Sequence, residues 1–291
     1  MTDCVQPAHS GAESPSGRLL LVLVLTAIFM LVEAIGGWIS GSLALLADAG
    51  HMLTDVGAIG LSLVSAIIGS RPADQFKTYG YRRWEILAAL VNGAALFGIA
   101  AWVVVEAIRR LGDPVPVRAG ILLGIAAVGL VVNLIALRIL HASHEHSLNT
   151  RGAYLHIMGD LLGSVAAIVA GGIIWMTGWT PADPILSIGV ALLILVGGWR
   201  LVRESTDILL EAVPAGVSMA DVERRMLEVP GVEAVHDLHV WTVTSGMVAM
   251  SGHAVVPELE RHPAALEGIR NAMQSLRIGH VTIQLEVERG C

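Results

Sequence analysis

The chain is poor in charge: of its 291 residues only 15% are Asp, Glu, Lys or Arg, while 54% are apolar. Soluble domains carry about 25% charged residues, so a water-exposed globular surface over the whole length is excluded. Cysteine is scarcer still. Cys4 and Cys291 stand at the two ends of the chain, on what would be the reducing side, so a structural disulfide has little support, and neither is taken as a metal ligand. Basic residues are also few at the start, where Arg18 alone precedes the first apolar run. That run is long and another follows almost at once, unlike a cleavable signal, so it is expected to stay. The formal net charge of −7 lies partly in the C-terminal segment and argues against nucleic acid as a partner.

Long apolar sequence is what the chain has in quantity, and its mean hydropathy is +0.69. Crossing a bilayer takes about 20 residues at 1.5 Å each. Runs of that size cover 19–39, 43–69, 86–108, 119–140, 153–177 and 185–203. The expected fold is therefore a membrane all-α bundle of six transmembrane helices, followed by a smaller domain. Residues 1–17, rich in Ser, Gly and Pro, read as a disordered tail; 18–211 form the transmembrane domain and 212–291 a C-terminal domain.

Orientation follows from where Lys and Arg fall. With the N-terminus inside, the inner side holds Arg18, Arg71, Lys77, Arg82, Arg83, Arg138, Arg151, Arg200 and Arg203, and the outer side only Arg109, Arg110 and Arg118. Both termini are thus expected in the cytoplasm. The short loops and small size suit a bacterial inner membrane.

After Pro214 the composition turns charged and amphipathic. Ser218 stands three residues before Asp221 as a helix cap, and Pro230-Gly231 closes that helix. Two β-rich runs, 234–243 and 248–256, flank a turn at Ser245-Gly246. A second helix fits 263–276, and 280–287 alternates as a half-buried strand. The order α-β-β-α-β predicts a ferredoxin-like α+β domain.

Within the apolar runs the ionisable residues are the informative ones, because each costs about 2.5 to 3.5 kcal/mol at a membrane centre on insertion scales. The second run holds Asp48, His51 and Asp55, and the fifth holds His156 and Asp160. Residues i and i+4 share a helix face, so each His-x-x-x-Asp pair can offer an imidazole nitrogen and a carboxylate oxygen to one ion. Two such helices, packed through Gly50, Gly57, Gly159, Gly163 and Ser164, would close an N2O2 shell around a divalent metal. Zn2+ favours four such ligands, whereas Ca2+ and Mg2+ want six or more oxygens. Two carboxylates, two neutral imidazoles and M2+ sum to zero charge, and two protons restore neutrality when the metal leaves. Exchange of metal for H+ is the natural cycle. A pair of His-Asp motifs three helices apart also suggests an inverted 3+3 repeat.

Other polar residues have milder readings. Asp48 suits the outer mouth, a helix cap or a proton relay, and Glu33, Asn92, Glu106 and Asn133 suit helix packing. His141, His144, Glu145 and His146 cluster in the loop after the fourth run, where they either gather metal or are simply solvated. In the C-terminal domain His236, His253 and Glu286 are the most suitable set for a second, cytoplasmic metal site; His239, His262, His280 and Gln284 lie nearby in sequence or on the same strand. Two competing readings use the same membrane ligands. An intramembrane metalloprotease would need a general base, and no His-Glu-x-x-His is present. A metal sensor that does not transport would need a signalling motif.

The stretches GGWISGSLALLADAGHMLTD, YGYRRWEILAALVNG, NTRGAYLHIMGDLLGS and VHDLHVWTVTSGMVAMSGH resemble the cation diffusion facilitator family, and within it the branch of zinc/cadmium/cobalt resistance exporters. The resemblance covers nearly the whole chain. It implies six helices with a metallochaperone-like cytoplasmic domain, a homodimer, exchange of Zn2+ for H+, and no enzymatic activity. It implies transport ligands at His51, Asp55, His156 and Asp160, and cytoplasmic zinc ligands at or near His236, His253 and Glu286. A His at the first ligand position goes, in that family, with preference for zinc over cadmium; cobalt and manganese are further ions of the same class. Gln284 stands where some relatives place a His ligand, a departure from the two-metal form of the cytoplasmic site. An ion pair of Arg83 with Asp207 or Glu211 is also implied.

Overall fold

The computed structural model describes residues 15–69, 71–141 and 148–288. Its first six elements are long helices: α1 (Pro15–Ser40), α2 (Leu43–Gly69), α3 (Trp84–Gly112), α4 (Ala119–His141), α5 (Leu148–Thr177) and α6 (Ala182–Leu209). They cover the six apolar runs. Four stretches among the described residues are long and apolar enough to cross a membrane: Trp84–Gly112, Ala119–Arg138, Asp160–Thr177 and Ala182–Leu209. The chain divides into two compact units, one holding Ala95–Gly198 with the residues up to Gly57, the other holding Ala58–Ala94 with Trp199 onwards.

In the first unit the helices turn apolar side chains outward as well as inward. On α1, Ile28, Leu31, Ile35 and Trp38 are all more than half exposed, and their spacing of three to four residues puts them on one face. On a water-soluble bundle such a stripe would be polar. Inside, α2 lies between two packed clusters. Leu43 and Ala47 meet Ala100 and Val103 of α3 and Ala191 and Ile194 of α6. Ala44 and Leu45 meet Leu122 and Ala126 of α4 and Ala167 of α5. The buried alanines keep the helix axes close.

The N-terminus of α2 is fixed with unusual completeness. Gly41 makes the turn from α1 with φ +74°, and a Cβ there would lie 2.9 Å from the Pro116 carbonyl oxygen, so only glycine fits. The Ser42 hydroxyl accepts from the Leu45 N–H at 3.3 Å, as a helix N-cap does. The next two amides go to α6: Leu43 N–H donates to Asp183 Oδ2 at 2.6 Å and Ala44 N–H to Oδ1 at 3.3 Å, while the Ser42 hydroxyl donates to Oδ1 at 2.5 Å. A wholly buried carboxylate thus takes up donors that a helix start leaves unpaired.

The second unit contains α7 (Met219–Leu227), β1 (Ala234–Thr244), β2 (Met247–Val255), α8 (His262–Ser275) and β3 (His280–Glu286), the expected α-β-β-α-β order. Ser218 accepts from the Asp221 N–H at 3.4 Å and caps α7. Gly246, at φ +76°, makes the tight turn between β1 and β2, which pair antiparallel. β3 joins β2 in parallel, a pairing that needs a crossover, supplied by α8. The sheet order is β1-β2-β3. Val222 and Met226 of α7 and Ala265, Ile269 and Met273 of α8, at helical spacing, close a core against Val240, Met250 and Ala254 of the sheet.

Candidate metal centres

Asp48, His51 and Asp55 lie on successive turns of α2, and His156 and Asp160 lie on α5. The His51 ring stands between two carboxylates. Its Nδ1 is 3.7 Å from Asp55 Oδ2, one turn on along the same helix, and its Nε2 is 3.8 Å from Asp160 Oδ1 on α5. Two ligand atoms of a tetrahedral zinc, each about 2.0 to 2.1 Å from the metal, lie about 3.4 Å apart, so both separations are within a few tenths of an ångström of that value. Only one ring nitrogen can face a given ion, so the imidazole must turn for all three donors to converge. His51 and Asp55 are about one-fifth exposed and Asp160 only 2%, which gives a centre open on the α2 side and closed on the α5 side. His156 is placed by the α5 backbone one turn before Asp160.

Around these residues the polar groups of the apolar runs find definite places. Asp48, 4% exposed, presses its carboxylate on α5 where Gly163 leaves room: a Cβ there would lie 2.9 Å from Asp48 Oδ1. Glu33 of α1 adjoins Asp48 and is fully buried. Asn133 of α4 donates to the Ser164 hydroxyl of α5 at 3.3 Å, a helix-packing contact. Glu106 accepts from Arg109 and Arg110, and Arg110 also donates to the Gly41 carbonyl at 2.6 Å, so its part is structural too. Asp183 was not among the residues singled out by sequence. Its role depends on a helix 140 residues away, and an Asp in its own helix's first turn reads as ordinary dipole compensation.

A second set of donors meets in the sheet. The register sets His236 opposite His253 and His253 beside Gln284, with Glu286 two residues further along β3. His253 Nδ1 lies 2.7 Å from Glu286 Oε1, and His236 Nε2 lies 3.1 Å from Glu286 Oε2. Among the described residues, these three form the set of His, Cys, Asp and Glu whose ligand atoms come together within 4.8 Å. Gln284 donates to Glu286 Oε1 at 2.9 Å, so the amide steadies the carboxylate. A bulge follows His236, with Asp237 and Leu238 of β1 set against Gly252 alone of β2, and His239 lies 2.9 Å from the Asp237 carboxylate. His262 meets the Val256 carbonyl at 2.8 Å and His280 packs edge-on against Tyr79. His144, Glu145 and His146 lie outside the described residues, as do Cys4 and Cys291.

Comparison with known proteins decides the family. The model for the cation efflux transmembrane domain matches residues 19–210, and the model for the cytoplasmic domain of cation efflux proteins matches 214–288. The chain belongs to the cation efflux family. Among its relatives in that family, the zinc transporter ZitB of Escherichia coli K12 is 46% identical over 284 residues, covering 97% of this chain and 90% of ZitB. The cadmium, cobalt and zinc/H(+)-K(+) antiporter of Bacillus subtilis is 41% identical, with 96% and 92% covered. The metal cation efflux system protein CzcD of Cupriavidus metallidurans is also 41% identical, with 96% and 88% covered. Membership makes the chain an integral membrane transporter of metal cations with a cytoplasmic C-terminal domain, and sets the metalloprotease reading aside. Of the two acids that could pair with Arg83, it is Glu211 that does so, at 2.8 Å; Asp207 lies 3.9 Å from Arg203.

Proposed function

We propose that the chain exports Zn2+ from the cytoplasm in exchange for H+, by alternating access to a site formed by His51, Asp55, His156 and Asp160. One observation carries the reading: an imidazole on one membrane helix lies within 3.8 Å of carboxylates on that helix and on another, inside a bundle that faces outward with apolar side chains. The relatives named for zinc, and for cadmium, cobalt and zinc with H+, support the cargo and the counter-ion. Zinc is the principal substrate, cadmium and cobalt are secondary ones, and manganese fits the same N/O donors.

The cycle follows from charge. His51 turns its ring to join Asp55, Asp160 and His156 on the ion, whose two charges cancel those of the carboxylates. Protons then occupy the same groups when the metal leaves, so a proton gradient drives each return. The site lies where α2 meets α5, so relative movement of these helices exposes it to one side and then the other.

We infer domain limits of 1–17, 18–211 and 212–291, a reading supported for the second and third by the family matches at 19–210 and 214–288, and all six long helices are read as spans. The C-terminal domain is read as ferredoxin-like on its α-β-β-α-β order. The name of its family model, a zinc-transporter dimer domain, supports a homodimer. His236, His253 and Glu286 are proposed as its zinc ligands; two imidazoles and a carboxylate suit Zn2+ with one position left open. Both termini are assigned to the cytoplasm, and the bacterial relatives favour an inner membrane.

Wild type and Asp160→Ala, reconstituted into vesicles holding a zinc dye under an imposed pH gradient, test the whole. Gradient-driven zinc flux in the wild type and none in the variant is the expected result. Flux surviving in the variant, or absent from a folded wild type, overturns it.

A further inference from the structure

The loop joining α2 to α3 has a built shape. Asp74 accepts hydrogen bonds from the backbone N–H of Lys77 at 2.7 Å and of Phe76 at 2.8 Å, and from the Tyr81 hydroxyl at 2.9 Å. These donors favour the charged carboxylate and hold it below the usual carboxylate range. The Lys77 ammonium lies 4.9 Å from the centre of the Tyr81 ring. Thr244 and Ser245, at the turn after β1, each donate to Glu85 in the first turn of α3 at 2.8 Å.

Between this loop, the start of α3 and β1 lies a pocket of about 420 Å³, lined in part by Phe76, Lys77, Tyr79, Arg82, Trp84 and Trp241. Two features define its ligand. The first is charge: residues 71–83 carry Arg71, Lys77, Arg82 and Arg83 against Asp74 alone, and while Arg83 is bound to Glu211, Lys77 and Arg82 are both exposed. The second is apolar surface in the same place, with Phe76 83% exposed and Trp84 45%. Trp84 is also the first residue of a helix long and apolar enough to cross a membrane, the position where Trp marks the level of the headgroups.

An exposed phenyl ring and two exposed cations lining one pocket fit a ligand that is itself half anion and half hydrocarbon. We propose that this pocket holds one anionic phospholipid, its phosphate between Lys77 and Arg82 and its glycerol and upper acyl chain against Phe76 and Trp84.

The test is native mass spectrometry of the full chain released from detergent, with dioleoylphosphatidylglycerol, with dioleoylphosphatidylcholine, and with inorganic phosphate as a free anion. The proposal expects the phosphatidylglycerol adduct to outlast the phosphatidylcholine adduct. It further expects Lys77→Gln/Arg82→Gln to weaken the former by up to about 30-fold, since one basic side chain near an anionic surface is worth about a factor of five. Arg270→Gln/Arg277→Gln, which removes two exposed charges from the C-terminal domain, should leave it unchanged. If the double variant does not fold, Lys77→Gln alone carries the same comparison with about a fivefold effect. Equal retention of the two lipids, an equal loss in the Arg270/Arg277 control, or displacement of the lipid by millimolar phosphate would overturn the proposal. A change in the monomer–dimer ratio without a change in lipid count would give the pocket to a second copy of the chain and overturn it as well.

Discussion

The two candidate metal centres differ in how nearly their donors converge. In the sheet, Glu286 lies 2.7 and 3.1 Å from two imidazoles, on strands whose register is locked by backbone hydrogen bonds. In the bundle, His51 stands 3.7 and 3.8 Å from two carboxylates that approach opposite edges of its ring. A site carried on three paired strands cannot open without breaking ladder bonds, so it suits an ion that stays. Ligands carried on two helices part when the helices slide, and a carrier has to let its ion go. On the proposed function, the tighter set would hold an ion and the looser set would carry one.

The sharpest way to break that contrast is to remove a proposed ligand from the bundle. Asp160→Ala should lower zinc flux by more than about 100-fold, beyond the 10- to 100-fold typical for loss of a supporting group around a metal; vesicle transport reads it, and a modest drop would mean that Asp160 only positions His51. Zinc binding by the same variant in equilibrium dialysis should then show one remaining class of site. Adding His253→Ala should abolish that class, and zinc still bound in the double variant would remove the sheet triad from consideration.

A smaller effect should follow Asp183→Asn, which keeps one acceptor but loses the charge that collects Ser42, Leu43 and Ala44. The expected cost is about 1 to 3 kcal/mol, seen as a lower midpoint of denaturant unfolding in detergent, with flux impaired because α2 loses its anchored start. No change in either would show that the Ser42 cap suffices. The smallest effect concerns Asp74. Its carboxyl titrates below the ordinary range, so its contribution to loop stability is complete above that range and fades as pH falls through the lowered value. The protection factors of the Phe76 and Lys77 amides in hydrogen exchange should fall below about pH 4, and Asp74→Asn should show the lower protection already at neutral pH.

Much of this was legible in the sequence because the signals are local. Apolar runs of bilayer length placed the long helices, and the Ser218 cap and the Ser245-Gly246 turn fell where strands and helices begin and end. The i,i+4 spacing of His51 and Asp55 placed both on one helix face, and alternation along β3 put Gln284 and Glu286 on the same side. These follow from periods of 3.6 and 2, which any stretch of chain carries within itself.

What tertiary structure alone decided are the pairings across long stretches of chain. The choice of Glu211 over Asp207 for Arg83, the approach of Asp160 to His51, the fit of Asp48 against Gly163 and the capture of the α2 N-terminus by Asp183 all join residues 100 or more apart in sequence. No local period encodes such contacts. They are set by how closely small residues let helices pack and by the requirement that a buried carboxylate find donors, conditions that exist only once the chain has folded.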